Sequence, residues 1–269
     1  MATIVWFHAH PDDEAILTGG STAKAADEGH RNVLVVATNG DHGELPDDLA
    51  EGESLVDRRR RETDASAAIL GFDRVAWLGY KDSGMTGWAQ NEDPDCFLQA
   101  PLDEAAARLA AILTEEDADL VVTYDWHGNY GHPDHITVHR VGKRAAELHG
   151  RVRLFEATMN RDAVRGFAEA AKAAGVALAD NPDEPEFDPD APADDGLPMG
   201  VPASEITHEV DVTAYALRKK QAVACHRSQV TDTSFFLQIP DELFAMAFGT
   251  EWFIRPDIPA GLQRRWLLD

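Results

Sequence analysis

Five short apolar runs recur between residues 3 and 158, and most are separated by a longer stretch that reads as a helix. Thr3–Ala9, Asn32–Thr38, Val75–Leu78, Leu120–Tyr124 and Arg153–Thr158 have strand length and β-branched or aromatic content. Glu14–Glu28, Leu55–Leu70, Asp103–Glu115 and His132–His149 read as helices; the second runs into Gly71, a residue suited to the left-handed turn that ends a helix. Residues 79–101 are rich in turn formers and read as an irregular surface loop. Strands alternating with helices predict βαβ units: an α/β fold with a mostly parallel sheet and helices on both faces. Ligands of such sheets sit beyond the carboxyl ends of the strands.

A chain of 269 residues can bury one sizeable core, so residues 1–269 are expected to form a single domain. Residues 179–200 (DNPDEPEFDPD and neighbours) carry Asp, Glu and Pro with little to bury, and read as an exposed acidic excursion. Residues 201–269 follow as a C-terminal cap region, with strands expected at Glu205–Val212 and Glu251–Arg255 and helices at Tyr215–Cys225 and Asp241–Phe248. The net charge of −24 argues against nucleic acid and anionic membranes as partners, since both select positive surfaces. No apolar run approaches the ~20 residues that span a bilayer. Thr3–His8 follows the first residues directly, without a basic leader pattern. Cys96 and Cys225 form no CxxC pair, so a reduced, cytoplasmic protein is the expectation. Oligomeric state is left open.

Chemistry enters with His10-Pro11-Asp12-Asp13-Glu14, directly after the first strand pattern and opening a helix. Alone, acids at a helix start need no more explanation than the macrodipole and capping. A second His-Pro-Asp core, in Tyr130-Gly131-His132-Pro133-Asp134-His135, follows another strand and opens another helix. In a parallel sheet the two would meet at one edge. A catalytic zinc takes three ligands from His and carboxylate and leaves a position for water, whose pKa falls towards ~7. His10, Asp13 and His135 are the expected ligands, and Asp12 the expected base on the attacking water. His132 is placed to steady an oxyanion or protonate a leaving amine, with Asp134 expected to fix its tautomer. His139, four residues after His135, is a rival ligand; His8 reads as structural and His127 as a candidate for the cleft rim.

These two motifs, in this order and spacing, resemble the de-N-acetylase family of the GlcNAc-phosphatidylinositol deacetylases, which takes in mycothiol- and bacillithiol-pathway enzymes. The likeness covers roughly residues 1–160, with a fainter echo near the C-terminus. It implies a Rossmann-like fold, a bound divalent metal (zinc, with Fe2+ or another ion open) and hydrolysis of an N-acyl, typically N-acetyl, amide on a small-molecule amino sugar or glycoside. It carries the ligand roles onto His10, Asp13 and His135, the base onto Asp12 and charge stabilisation onto His132. Tyr130 matches a mobile tyrosine that approaches the tetrahedral intermediate. Arg59 matches an arginine that grips sugar hydroxyls, Asp82 lies in a matching DSGM loop, and His226 in an H-x-S-Q segment near the pocket; Arg161 is a weaker match. The loop Trp126–Asn129 departs from the mycothiol-type pattern, and the acidic 179–200 stretch is foreign to it, so substrate identity is not implied.

Rival readings are an amidase of thiol or natural-product conjugates, a two-His-one-carboxylate Fe(II) oxygenase and a non-catalytic sugar-binding protein. A dinucleotide-binding enzyme is disfavoured: no GxGxxG follows the first strand, and adjacent acids would repel a pyrophosphate.

Overall fold

In the computed structural model, residues 1–173, 188–230 and 235–269 are described. The first part of the expected excursion, residues 179–187, falls outside them. Strand β1 (Thr3–His8) leads into helix α1 (Asp13–Asp27), then β2 (Arg31–Thr38), α2 (Leu55–Leu70), β3 (Arg74–Tyr80), α3 (Leu102–Glu115), β4 (Leu120–Tyr124), α4 (Pro133–His149), β5 (Arg153–Thr158) and α5 (Arg161–Ala173). The remainder supplies β6 (His208–Asp211), α6 (Ala216–Val223), α7 (Phe235–Gln238), α8 (Asp241–Phe248), β7 (Thr250–Ile254) and β8 (Gln263–Arg264). The sheet order is β3-β2-β1-β4-β5-β7-β6-β8. The first five strands are mutually parallel, β7 runs against both β5 and β6, and β8 is parallel to β6. The fold is the expected mostly parallel, Rossmann-like α/β arrangement.

Period-two side-chain alternation explains the layering. On β1, Val5 and Phe7 pack with Leu109 of α3 and Val138 and Val141 of α4 on one face. Ile4 and Trp6 pack on the other, with Ala25 of α1. All four β1 residues are fully buried, as a central parallel strand covered on both faces requires. Helix α2 starts with a Ser54–Asp57 capping box and ends on Gly71 in the left-handed region at φ 85°.

Two elements extend the reading from sequence. Residues 161–173 form α5, whose start is held by Asn160 accepting from the Ala163 N–H at 3.2 Å. The 79–101 loop contains two short 3-10 turns, Ala89–Glu92 and Phe97–Gln99. Among the described residues no helix is long and apolar enough to cross a membrane.

The order places the crevice. The chain steps from β1 through β2 to β3, then returns to β4 on the other side of β1. Loops leaving β1 and β4 therefore diverge, opening a cleft at the carboxyl ends of those two strands. Both His-Pro-Asp motifs lie there.

Candidate active site

His10 and His135 face one another across this cleft, their tautomers set by what lies behind each ring. His135 Nδ1 donates to the Gly128 carbonyl at 3.1 Å, leaving the Nε2 lone pair free. His10 Nε2 donates to Asp134 Oδ2 at 3.2 Å, leaving the Nδ1 lone pair free. The two free nitrogens stand 3.3 Å apart, and Asp13 Oδ2 lies 3.4 Å from each. Burial works against both charges, yet Asp82, Asp13 and Asp134 raise the His10 ring well above the ordinary imidazole range, and His135 and His10 in turn hold the Asp13 carboxyl well below its own, so without an ion the triangle is held together by a proton. With that proton gone, three lone pairs converge on one point. A cation relieves that convergence. Donors about 2.0–2.1 Å from a tetrahedral zinc lie about 3.3–3.4 Å apart, the size of this triangle. The donor set and its dimensions fit a divalent metal.

Local sequence explains why the groups arrive here. Pro133 opens α4 without costing a hydrogen bond. Gly128 has φ +64°, and a Cβ there would lie 2.3 Å from the His135 Cβ, so glycine lets the loop close over the ring it orients. Asp12 precedes α1 with φ 107°, a strained value for a residue with a side chain.

That strain is held by a buried network. Glu14 is fully buried and accepts from the Asp12 N–H (3.0 Å), from Ser66 Oγ (2.5 Å) and from His226 Nε2 (2.7 Å). Arg59 donates to the Pro11 carbonyl (2.5 Å), the Gly40 carbonyl (2.9 Å) and Asp12 Oδ2 (3.2 Å). Burial raises Asp12 to about 6, against the pull of the Arg59 guanidinium. Glu14→Ala is expected to cost about 3–5 kcal/mol, because His226, Ser66 and the Asp12 N–H lose their acceptor together. Urea denaturation monitored by circular dichroism measures it; a loss below about 1 kcal/mol would show the network to be dispensable.

Several expected residues gather on one cavity wall: His10, Asp12, Asp13, Arg59, Asp82, Tyr130, His132 and His135 all line it. His132 Nδ1 accepts the Asp134 N–H at 3.1 Å, and burial pushes its pKa down to about 2, so the ring is neutral and presents an Nε2–H. Burial also raises the Tyr130 hydroxyl, which stays protonated as a donor. Burial alone would raise Asp82, but His10 and the Gly84 N–H bring it well below the usual carboxylate range.

Two residues sit differently from expectation. The Asp134 carboxylate does not orient His132. It accepts from Ser83 N (2.9 Å), Ser83 Oγ and His10 Nε2, and only its backbone N–H meets His132. At the second position of α4 its side chain points across the cleft towards the loop after β3. His226 does not reach the wall; it is fully buried behind Asp12, paired with Glu14. Its neighbour Gln229 lines the cavity instead.

Three other candidate histidines are engaged elsewhere. His8 bridges the Tyr124 hydroxyl and Thr18, both at 2.9 Å. His139 donates to the Tyr124 carbonyl at 3.1 Å, and His127 to the Gly200 carbonyl at 3.1 Å. Arg161 holds the carbonyls of Pro198, Met199 and Gly200. Residues 194–200 rest on the loop that carries Tyr130: the Asp194 N–H donates to the Tyr130 carbonyl (3.0 Å) and the Gly200 N–H to the Asn129 carbonyl (2.6 Å). Ser83 and Gln229 belong to the two segments that the resemblance places near the pocket, whereas the sequence assigns Glu14 no role in the site. For Glu14 the only sequence signal was its place in the acidic triplet, which helix electrostatics already explained.

Comparison with known proteins supplies independent evidence. Residues 5–146 match the PIG-L family model, described as GlcNAc-PI de-N-acetylase. A 1D-myo-inositol 2-acetamido-2-deoxy-alpha-D-glucopyranoside deacetylase from Thermomonospora curvata is 37% identical over 275 residues, covering 96% of this chain and 91% of that protein. Among solved structures, N,N'-diacetylchitobiose deacetylase from Pyrococcus horikoshii superposes with a TM-score of 0.54 at 24% identity, covering 90% of this chain and 72% of its own. The zinc-inhibited form of teicoplanin deacetylase gives 0.56 at 18% identity, over 95% and 99% of the two chains. At these identities the superpositions speak for the fold alone.

Proposed function

The chain belongs to the PIG-L family of GlcNAc-PI de-N-acetylases, and on that premise we propose that it is a metal-dependent hydrolase that removes the N-acyl group from an amino sugar or its glycoside. The observation that carries this reading is the triangle of lone pairs from His10, Asp13 and His135 with Asp12 beside it on the same wall. His10, Asp13 and His135 would hold the ion, zinc first and Fe2+ or another divalent ion second. Such an ion polarises a carbonyl and makes water acidic enough to lose a proton near neutrality.

The side chains divide the remaining work. Asp12 takes a proton from the water that adds to the amide carbon. The C–N bond then breaks, and Asp12 returns the proton to the departing nitrogen, giving one carboxylic acid and one amine. His132, neutral, donates its Nε2–H to the carbonyl oxygen as negative charge develops there, and the Tyr130 hydroxyl is a second donor. Asp134 acts from behind His10, accepting its Nε2–H and so fixing the tautomer that ligates. Arg59 and Asp82 present polar groups to sugar hydroxyls. His226 acts only through Glu14, which holds the strained turn at Asp12. We read residues 1–269 as one domain serving this single cleft.

The relatives' substrate, 1D-myo-inositol 2-acetamido-2-deoxy-α-D-glucopyranoside, and N-acetylglucosamine are the first compounds to assay. Amine and acetate are expected in equal amounts, lost on treatment with a chelator and restored by a divalent ion. If the metal-loaded protein releases amine from no N-acyl amino sugar, the reading is wrong.

A further inference from the structure

The cavity grows more apolar in its lining along the sheet edge, from an arm over β3 and β2 on one side of the metal triangle to an arm over β5 and β7 on the other. Its volume of about 820 Å³ sits high in the range of ~300–1,000 Å³ for small-molecule pockets. Over β2 and β3 the wall carries the polar side chains His42, Arg59, Asp82 and Gln229 beside Met85 and Trp88. Over β5 and β7 it is apolar, with Met159, Phe167, Met199, Met246, Phe248 and Trp252. Every methionine after Met1 lines this one cavity, three of the four on the apolar side. Methionine is the side chain that adapts to flexible apolar ligands.

Most polar groups that occur on the β5–β7 side are already engaged, and the buried Trp252 indole N–H is the one there without a hydrogen-bond partner among the described residues. Lys219 and Glu251 are buried and paired at 2.8 Å, and Glu251 also accepts from the N–H groups of Gly20 (2.9 Å) and Ser21 (2.8 Å). Thr158 donates its hydroxyl to Asp125 at 2.5 Å. Apart from the Trp252 indole N–H, a sugar hydroxyl entering that arm would exchange water for apolar surface and closed ion pairs, which is costly. An alkyl chain entering it would gain by burial.

The chemistry of the cleaved bond then assigns the arms. At the reacting amide the sugar nitrogen lies on one side of the carbonyl carbon and the acyl chain on the other. With the carbonyl at the triangle and the sugar against the polar groups over β2 and β3, the acyl group extends over β5 and β7. We propose that the enzyme is built to remove long, apolar acyl groups from amino sugars, with acetyl as a poor, minimal substrate. This inference rests on the amide-hydrolase reading above and deepens it. Phe167 and its neighbours in the arm are specificity determinants, not catalytic residues.

The test is a chain-length series: N-acetyl-, N-butanoyl-, N-hexanoyl- and N-octanoyl-glucosamine, with octyl 2-acetamido-2-deoxy-glucoside as the compound whose alkyl group sits on the sugar instead. Amine release by the metal-loaded wild-type protein gives kcat/KM for each. Each added methylene is expected to raise it about two- to fourfold, so octanoyl, six methylenes longer, should exceed acetyl by at least about sixtyfold. The octyl glycoside should gain less than about threefold over N-acetylglucosamine. Ala163→Trp, which narrows the arm from α5, and Phe167→Ser, which removes part of its wall, should each lower the octanoyl-to-acetyl ratio at least tenfold. Acetyl turnover with a flat or falling series overturns this inference and leaves the hydrolase reading intact. A gain with the octyl glycoside and not with the acyl series overturns it too, by moving the apolar substituent to the aglycone. Turnover of no member of the set overturns both readings at once.

Discussion

Asp12→Asn is expected to lower kcat about 10²- to 10⁴-fold, the usual worth of a positioned general base, while leaving the protein folded and its metal content at the wild-type ratio. The substitution keeps size and shape, and the amide still offers an oxygen to Arg59, which meets Asp12 Oδ2 at 3.2 Å. What disappears is the ability to hold a proton. Asp13, the neighbour in the triangle, is untouched, so metal analysis should not distinguish the variant from its parent. The pH profile adds a second reading. Burial raises Asp12 to about 6, and a bound divalent ion pulls in the opposite direction. The wild-type acid limb should therefore fall at or below about pH 6, with activity rising as Asp12 loses its proton. The residual rate of Asp12→Asn should show no such limb. A variant with wild-type kcat and an unchanged acid limb would require the base to be another group.

How much of this was legible beforehand follows from what each feature depends on. Strands β1, β2 and β4 were readable because a parallel strand buried on both faces needs a near-continuous apolar run, and residues 4–7, 33–37 and 120–122 are such runs. The convergence of the two His-Pro-Asp motifs was readable because strand-to-helix junctions of a parallel sheet share one edge. Side-chain direction was not. Asp134 stands two residues from His132, which suggested a pair, yet at the start of α4 its carboxylate faces His10 and Ser83, and Ser83 comes from the loop after β3. Glu14 was hidden because an acid in the first helical turn already has an electrostatic explanation. His226 was placed near the site but on the wrong side of Glu14, since chain distance carries no information about which side of a buried carboxylate a ring occupies. The apolar arm had no local signature at all: its residues come from the ends of β5 and β7, from α5 and α8, and from the segment before β6. Only the fold assembles them.

The metal triangle makes the second large prediction, and a rival trio makes it discriminating. His10, Asp82 and Asp134 also bring ligating atoms within 4.8 Å of one another, as do His10, His132 and His135. Existing bonds separate these sets. Asp134 already accepts from Ser83 N, Ser83 Oγ and His10, and Asp82 Oδ1 accepts the Gly84 N–H at 2.8 Å. His132 has spent its Nδ1 lone pair on the Asp134 N–H. On the Nδ1 side of His10 the two imidazole nitrogens have no N–H donor facing them in these tautomers, and Asp13 Oδ2, which accepts the His10 backbone N–H at 2.8 Å, keeps a second lone pair for an ion. His135→Ala is therefore expected to weaken metal binding at least a hundredfold, read as metal per chain after dialysis against a competing chelator, with amide hydrolysis lost in step. Asp134→Asn, which disturbs the partner behind His10 together with the bonds from Ser83, should cost about ten- to a hundredfold. Asp82→Asn should cost less than about tenfold. Circular dichroism of each variant checks that the fold survives the loss of a buried polar group. The reverse ranking, with His135→Ala near wild-type occupancy and Asp82→Asn depleted, would move the ion to the other side of the His10 ring. Asp12 would then no longer stand beside the triangle that makes it a base, and the division of labour between Asp12 and Asp13 would have to be redrawn.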